Sequence, residues 1–187
     1  MDSYTVKDLM VPIAEYATVP MGTTLLDAIN VLEKAQEAFT SSKYQHRAIL
    51  VLDEENTVVG KIGQLRVLKA IETRPDRNSE LEELKNFNFS DEYITQQREK
   101  FRLGGKIMAK EDLQIAANKK VEEFMQKPTP SEIVPEDASL DTAIHKLVAG
   151  THLSLLVTRA DRIVGILRIA DVFAAVYHKM KEHKLAL

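Results

Sequence analysis

The 187-residue chain contains no cysteine. That excludes disulfides, thiolate metal sites and a cysteine nucleophile, and it is in keeping with the cytosol. Basic charge is not in excess: 25 Lys and Arg stand against 28 Asp and Glu, for a net charge of −3. The basic face of a general nucleic-acid binder is therefore not expected. Long apolar runs are missing too. Stretches such as Ala48 to Leu52 fall far short of the roughly 20 residues of a membrane span. Met1 to Tyr4 has no basic region followed by an apolar core, so no signal peptide is expected. No nucleophile elbow, Walker loop or Gly-x-Gly-x-x-Gly occurs. No catalytic constellation can be assembled, which predicts a protein that is not an enzyme. His178 and His183 are five apart on a predicted helix, and His145 and His152 fall on different elements, so no metal site is expected. These absences point to a cytoplasmic protein without nucleic-acid or membrane partners.

What is present is a repeat. Val6-Lys7-Asp8-Leu9-Met10 returns as Val121-Glu122-Glu123-Phe124-Met125, 115 residues later. Val19-Pro20 returns as Val134-Pro135 and Ala28-Ile29 as Ala143-Ile144, at the same offset. Thr57 to Ile62 matches Arg162 to Leu167 at an offset of 105. A unit of this size used twice buries its open face against its copy and leaves a cleft between the two.

Each copy reads as strand, helix, strand, strand, helix. In the second, Glu132-Ile133-Val134 is extended and Pro135 ends it. Ser139 caps a helix whose apolar positions Leu140, Ala143, Ile144, Leu147 and Val148 share one face. Gly150 stops it. Leu153 to Thr158 is the apolar run of a strand buried on both sides. Arg159 to Arg162 turns the chain into a strand at Ile163–Leu167, and a helix follows over Asp171–Met180. The first copy keeps this order, with Thr23 or Thr24 as its helix cap. It carries a longer connection around Gln36 to Lys43 and a longer turn at Asp53 to Asn56. Residues 73–117 belong to neither copy. Ser79 with Glu82 matches a capping box, and Ser90 starts another helix with Phe89 and Ile94 as a hydrophobic staple. Gly104-Gly105 ends that helix, and a third runs from about Lys110 to Lys119. The segment has too many apolar side chains for a solvated linker and is predicted to pack on the repeats or on another subunit.

The short Val-x-x-x-Met opening, this element order and the close Gly165-Ile166-Leu167-Arg168-Ile169-Ala170-Asp171-Val172 resemble the cystathionine-β-synthase (CBS) domain. Two copies in tandem resemble a Bateman module, with residues 4–72 and 118–183 as the repeats and 73–117 as a helical insert. The resemblance implies an α/β (α+β) fold of two β-α-β-β-α repeats about a pseudo-twofold axis, sheets packed together and helices outside. It also implies a homodimer, and a cleft for an adenine-containing ligand: AMP, ADP, ATP, NAD or S-adenosylmethionine.

In nucleotide-binding relatives the close reads Gly-h-h-Thr/Ser-x-x-Asp, where h is hydrophobic. The hydroxyl meets phosphate and the Asp takes ribose hydroxyls. This chain departs from that in both copies. The second keeps Asp171 but has Arg168 at the hydroxyl position; the first has Gly63 and Arg66. Two readings of the second copy stand side by side. Asp171 holds ribose while Arg168 grips phosphate, or the two pair with each other across one helical turn. Arg47, which follows His46, and Thr151 with His152 precede matching strands and are further ligand candidates. Arg66 is a candidate to bridge the cleft to Asp171. Gly60 and Gly165 read as turn or close-packing glycines.

Two functions follow. One is a stand-alone regulatory module that binds an adenine-containing ligand and signals to a regulated partner protein. The other is an interaction protein that has lost ligand binding and works through its insert.

Overall fold

The structure is a computed structural model that describes residues 4–38, 45–72, 87, 89–103 and 108–183, with backbone alone for 101–103. The first repeat contains α1 (Val6–Leu9), β1 (Val11–Pro12), β2 (Thr18–Pro20), α2 (Leu25–Ala38), β3 (Ala48–Leu52), β4 (Val58–Gly63) and α3 (Gln64–Ile71). The insert supplies α4 (Asp91–Leu103) and α5 (Lys110–Asn118). The second repeat contains β5 (Ile133–Pro135), α6 (Leu140–Ala149), β6 (Ser154–Arg159), β7 (Arg162–Arg168) and α7 (Ile169–Glu182). This is the expected mixed α/β fold of two similar units.

The helix starts follow local chemistry. Ser139 Oγ accepts the Thr142 N–H at 3.2 Å, and Thr24 Oγ1 does the same for Asp27 at 3.2 Å. Ser90 Oγ accepts the Tyr93 N–H at the head of α4. There Phe89 stacks on Tyr93, with ring centroids 5.1 Å apart, and Ile94 is buried. The β6–β7 turn holds Ala160 and Asp161 at φ of 46° and 63°, the left-handed pair that a tight hairpin requires. Strand β6 starts at Ser154, one residue later than expected, and Leu153 before it is 75% exposed. Helix α7 begins two residues before Asp171. The Ser79–Glu82 capping box, the Gly104-Gly105 stop and the connection beyond Ala38 lie outside the described residues.

Side chains alternate along each strand. Ile49 and Val51 of β3 face α2 and α3, and Leu155 and Val157 of β6 face α6 and α7. Leu50 and Leu156, one residue out of phase, meet between the sheets with Val11, Val58 and Ile166. The inter-sheet layer is thus apolar at its middle. From the insert, α5 packs on α2 and α3, and its Ala116 is buried in the first core.

The two repeats exchange their opening segments. Strand β1 leaves its own repeat and pairs antiparallel with β7, Val11 against Ile166. Gln126, its counterpart 115 residues on, forms a bridge with Lys61 of β4. The Val6 N–H donates to Ala138 O, and the Val121 N–H donates to Thr23 O. Val6 is fully buried in the second core and Val121 in the first, each contributing about 1.5–3 kcal/mol to a core it does not belong to by sequence. Gly60 and Gly165 are small for this reason. A Cβ on Gly60 would collide with Met125 Sδ, and one on Gly165 would lie 2.8 Å from Val11 O and 2.9 Å from Met10 Sδ.

Candidate functional site at the inter-repeat cleft

Two sets of polar residues enter the inter-sheet layer. Strand register explains the first. Ser154 pairs with Arg168, and Leu156 with Ile166. Arg168 therefore shares a face with Ile166 and points between the sheets, where it is 6% exposed. One turn into α7, Asp171 meets it. Arg168 Nε donates to Oδ2 at 2.5 Å and its Nη2 to Oδ1 at 2.7 Å. Both carboxylate oxygens are engaged by one planar fork. The pairing reading of these two residues is the one the structure displays.

The first repeat supplies the facing wall. Tyr16 leaves the 3₁₀ turn Ile13–Glu15 and packs edge-on against His46, with ring centroids 4.4 Å apart. Burial pushes the Tyr16 phenol up to about 12, against the opposing pull of the Arg168 charge. Burial, and then the same Arg168 charge, holds His46 below the ordinary histidine value. Tyr16 therefore keeps its proton at neutral pH and can donate it in a hydrogen bond.

The second set is an ion pair between the repeats. Lys61 Nζ donates to Glu132 Oε1 at 2.7 Å, with side-chain exposures of 11% and 3%. Gln126 Nε2 and Thr129 Oγ1 donate to Glu132 Oε2 at 3.1 and 3.3 Å. Ser154 Oγ lies 3.5 Å from Lys61 Nζ, and His152 Nδ1 lies 4.0 Å from Glu132 Oε1. Burial acts to raise the Glu132 carboxyl, but the Lys61 hydrogen bond and charge outweigh it and leave it below the ordinary value.

The sequence candidates are thus dispersed. Arg168 and Asp171 come together, whereas His152 stands beside Glu132. Thr151 is exposed, with φ of 50° and its hydroxyl donating to Gly150 O. Arg47 is exposed beside the buried His46. The expected Arg66–Asp171 bridge is not formed. Arg66 lines an outer cavity of 260 Å³ with Lys69, Ala70, Lys119, Glu123 and Phe124, and Asp171 is taken by Arg168. Sequence reasoning missed Tyr16, Lys61 and Glu132. A comparison of the copies carried the signal, because Lys61 stands where the second repeat has Ile166 and Glu132 where the first has Ala17.

The imidazole of His152 also shapes its own loop. It lies over Gly150, where any Cβ would strike it. Gly150 is right-handed, with φ of −92°, so the ring and not the backbone angle calls for glycine there, and the left-handed position after the helix falls on Thr151.

Among the described residues no cluster of His, Asp and Glu is arranged to hold a metal ion, and no helix is long and apolar enough to cross a membrane. A second cavity, of 330 Å³, lies between α6 and α7 and includes Tyr4, Ile144, Val176 and Met180. Neither of these cavities is lined by Arg168 or Asp171.

Comparison with known proteins gives a consistent result. The sequence pattern described as CBS domain matches residues 6–73 and 121–178. No curated protein matches the chain in sequence. Among solved structures, CBSX2 from Arabidopsis thaliana is 20% identical, with 96% of this chain and 99% of that one aligned at a TM-score of 0.60. A crystal structure of CBSX2 in complex with AMP aligns over 94% and 97% at 20% identity and a TM-score of 0.57. A CBS domain-containing protein of unknown function from Bacillus anthracis str. Ames Ancestor is 21% identical over 94% of each chain, with a TM-score of 0.61. At these identities the likeness to the solved structures is one of fold.

Proposed function

The chain belongs to the CBS-domain family and carries the domain twice, and from that premise we propose that it is a regulatory CBS pair whose adenine-containing ligand enters the cleft at the Arg168–Asp171 pair. The observation that carries this reading is the bidentate pair itself. A phosphate arriving at Arg168 replaces the Asp171 carboxylate on the same fork, offering two oxygens where the carboxylate offered two. Asp171, released, has acceptors for the two ribose hydroxyls. The Tyr16 hydroxyl and the neutral His46 ring border the space that opens. The Lys61–Glu132 pair occupies the cleft beside Ser154, so one ligand in the cleft of each chain is expected. That CBSX2 forms a complex with AMP supports the ligand class.

No catalytic step is assigned to this site. Its output passes to a partner protein through a change in the angle between the repeats. Such coupling requires two states that the ligand binds with different affinity. The chain forms a homodimer in this reading. Ile169, Phe173, Tyr177 and Met180 make an exposed apolar stripe along α7, and Leu65 and Leu68 are exposed on α3.

The test is a thermal-shift titration with AMP, ADP, ATP, NAD and S-adenosylmethionine. A ligand at about 100 times its dissociation constant adds about 2.7 kcal/mol, which for a chain of this size raises Tm by about 5–10 °C. The rise is expected with at least one ligand and is lost in Asp171→Ala and Arg168→Gln. No rise with any of the five would retire the reading.

A second reading rests on one specific observation. Phe87, Phe89 and Tyr93 of the insert are 74%, 46% and 41% exposed. They favour an interaction protein whose insert docks on another surface. In that case Tyr93→Asp abolishes association and leaves any ligand-induced shift in place.

A further inference from the structure

We propose that the 260 Å³ cavity beneath α3 is a second ligand site, separate from the inter-repeat cleft, and that it takes a small phosphate-bearing anion. Helix α3 presents Arg66, Lys69 and Ala70 to it, at i, i+3 and i+4 on one face. The facing wall is Lys119, Glu123 and Phe124, from the end of the insert and the opening turn of the second repeat. Lys119 Nζ donates to Ala70 O at 2.7 Å. That neutral acceptor fixes the ammonium at the cavity without cancelling its charge. Among the described residues none of the ion pairs includes Arg66, Lys69 or Lys119. The single carboxylate, Glu123, accepts the Lys120 N–H at 2.7 Å. Three cations therefore face one acid that already serves the backbone.

The second repeat shows that the scaffold does not need these cations. Its equivalent positions are Asp171, Ala174 and Ala175 on α7, with Tyr4, Asp8 and Leu9 on the exchanged segment. The small residue Ala70 has its match in Ala175, and Asp8 caps Thr5 as Glu123 caps Lys120. Structural features are thus retained in both copies, whereas Arg66, Lys69 and Lys119 have no cationic counterpart. An Arg fork flanked by two ammonium groups suits a phosphate or pyrophosphate. The volume lies below the roughly 300–1,000 Å³ of pockets for larger ligands, which disfavours a whole dinucleotide. A bound anion would tie the closing helix of one repeat to the opening turn of the other.

The test is a titration of the intact protein, in buffer free of phosphate and metal ions, with inorganic phosphate and pyrophosphate, followed by amide NMR. Shifts should gather at Ala70, Lys119 and Phe124. Affinity read at those three amides should fall by about tenfold, or about 1.4 kcal/mol, in Lys69→Gln and in Arg66→Gln, whereas a response that depends on Arg168 belongs to the cleft. Lys69 is exposed, so Lys69→Gln is expected to fold. Two outcomes would overturn the proposal: no saturable shift with either anion, or binding abolished by Arg168→Gln and kept in Lys69→Gln, which would place the anion in the cleft. The cleft reading fails independently, through a nucleotide response that is absent or insensitive to Asp171→Ala.

Discussion

Lys61 and Glu132, one from each repeat, form a buried ion pair at 2.7 Å that ties the two repeats together. Removing one partner leaves the other charge buried and uncompensated, which costs about 3–5 kcal/mol, whereas an apolar pair in its place is often neutral. Lys61→Met should lose that amount in urea denaturation, and Lys61→Met with Glu132→Leu should recover most of it. A single substitution as mild as a surface change would contradict the role assigned to the pair.

The same pair fixes an acid response. Glu132 titrates below its ordinary value of 4.5 in the fold. Its contribution is therefore complete above about pH 4.5 and is lost as pH falls from there through the folded value. The wild type should lose Tm more steeply over that window than the double variant does.

Gly60 and Gly165 occupy equivalent positions, but their replacement should differ in outcome. At Gly60 the three atoms a Cβ would approach most closely all belong to the side chain of Met125, whose flexible end can move. At Gly165 it also meets Val11 O, which is backbone held in the β1–β7 ladder. Gly165→Ala should cost about 1–3 kcal/mol and Gly60→Ala less. Met125→Ala should relieve the Gly60→Ala clash, while Met10→Ala should fail to relieve the one at Gly165. Chemical denaturation of the four variants decides it.

Thr151 adopts a left-handed conformation that costs an L-residue about 1–2 kcal/mol, most of all one branched at Cβ. Thr151→Gly should raise stability by about 0.5–1 kcal/mol after its greater chain entropy is counted. Gly150→Ala, one residue earlier, should lower stability because its Cβ strikes the His152 ring. Opposite signs at adjacent positions are the expected result, read from Tm.

His46 is held neutral by burial and then by Arg168. Its folded value lies below the ordinary 6.5, so the unfolded chain takes up the proton first and stability declines as pH drops below about 6.5. Arg168→Gln should move the His46 titration upward in an NMR pH series and soften that decline. An unmoved His46 resonance would mean that the guanidinium does not act on the ring.

Much of this architecture is legible in the chain because each element has a local cause. Ser139 and Thr24 announce helix starts, and the apolar phase of Leu153 to Thr158 marks a central strand even though its first residue turns outward. The i, i+3 spacing of Arg168 and Asp171 announces their contact. The exchange of opening segments is not legible. Val6 to Met10 has the same pattern whichever sheet it joins, and a partner 155 residues away leaves no local trace. Tyr16 was hidden for a related reason: only the fold brings it to a strand entrance and a helix start that lie far apart in sequence. Arg66 misled because equivalence in the repeat places backbones alike without fixing where a longer side chain extends.

The exchanged segments also impose an order on synthesis. Strand β1 leaves the ribosome early, yet the strand that receives it, β7, lies 155 residues further on. Until that strand is made, Val6 has no core to enter and the first repeat holds a place that only Val121 can fill. Pairings this distant in sequence are slow to form and leave apolar surface open meanwhile. A nascent chain halted within the insert would therefore contain one complete copy of the repeat by sequence and no completed core.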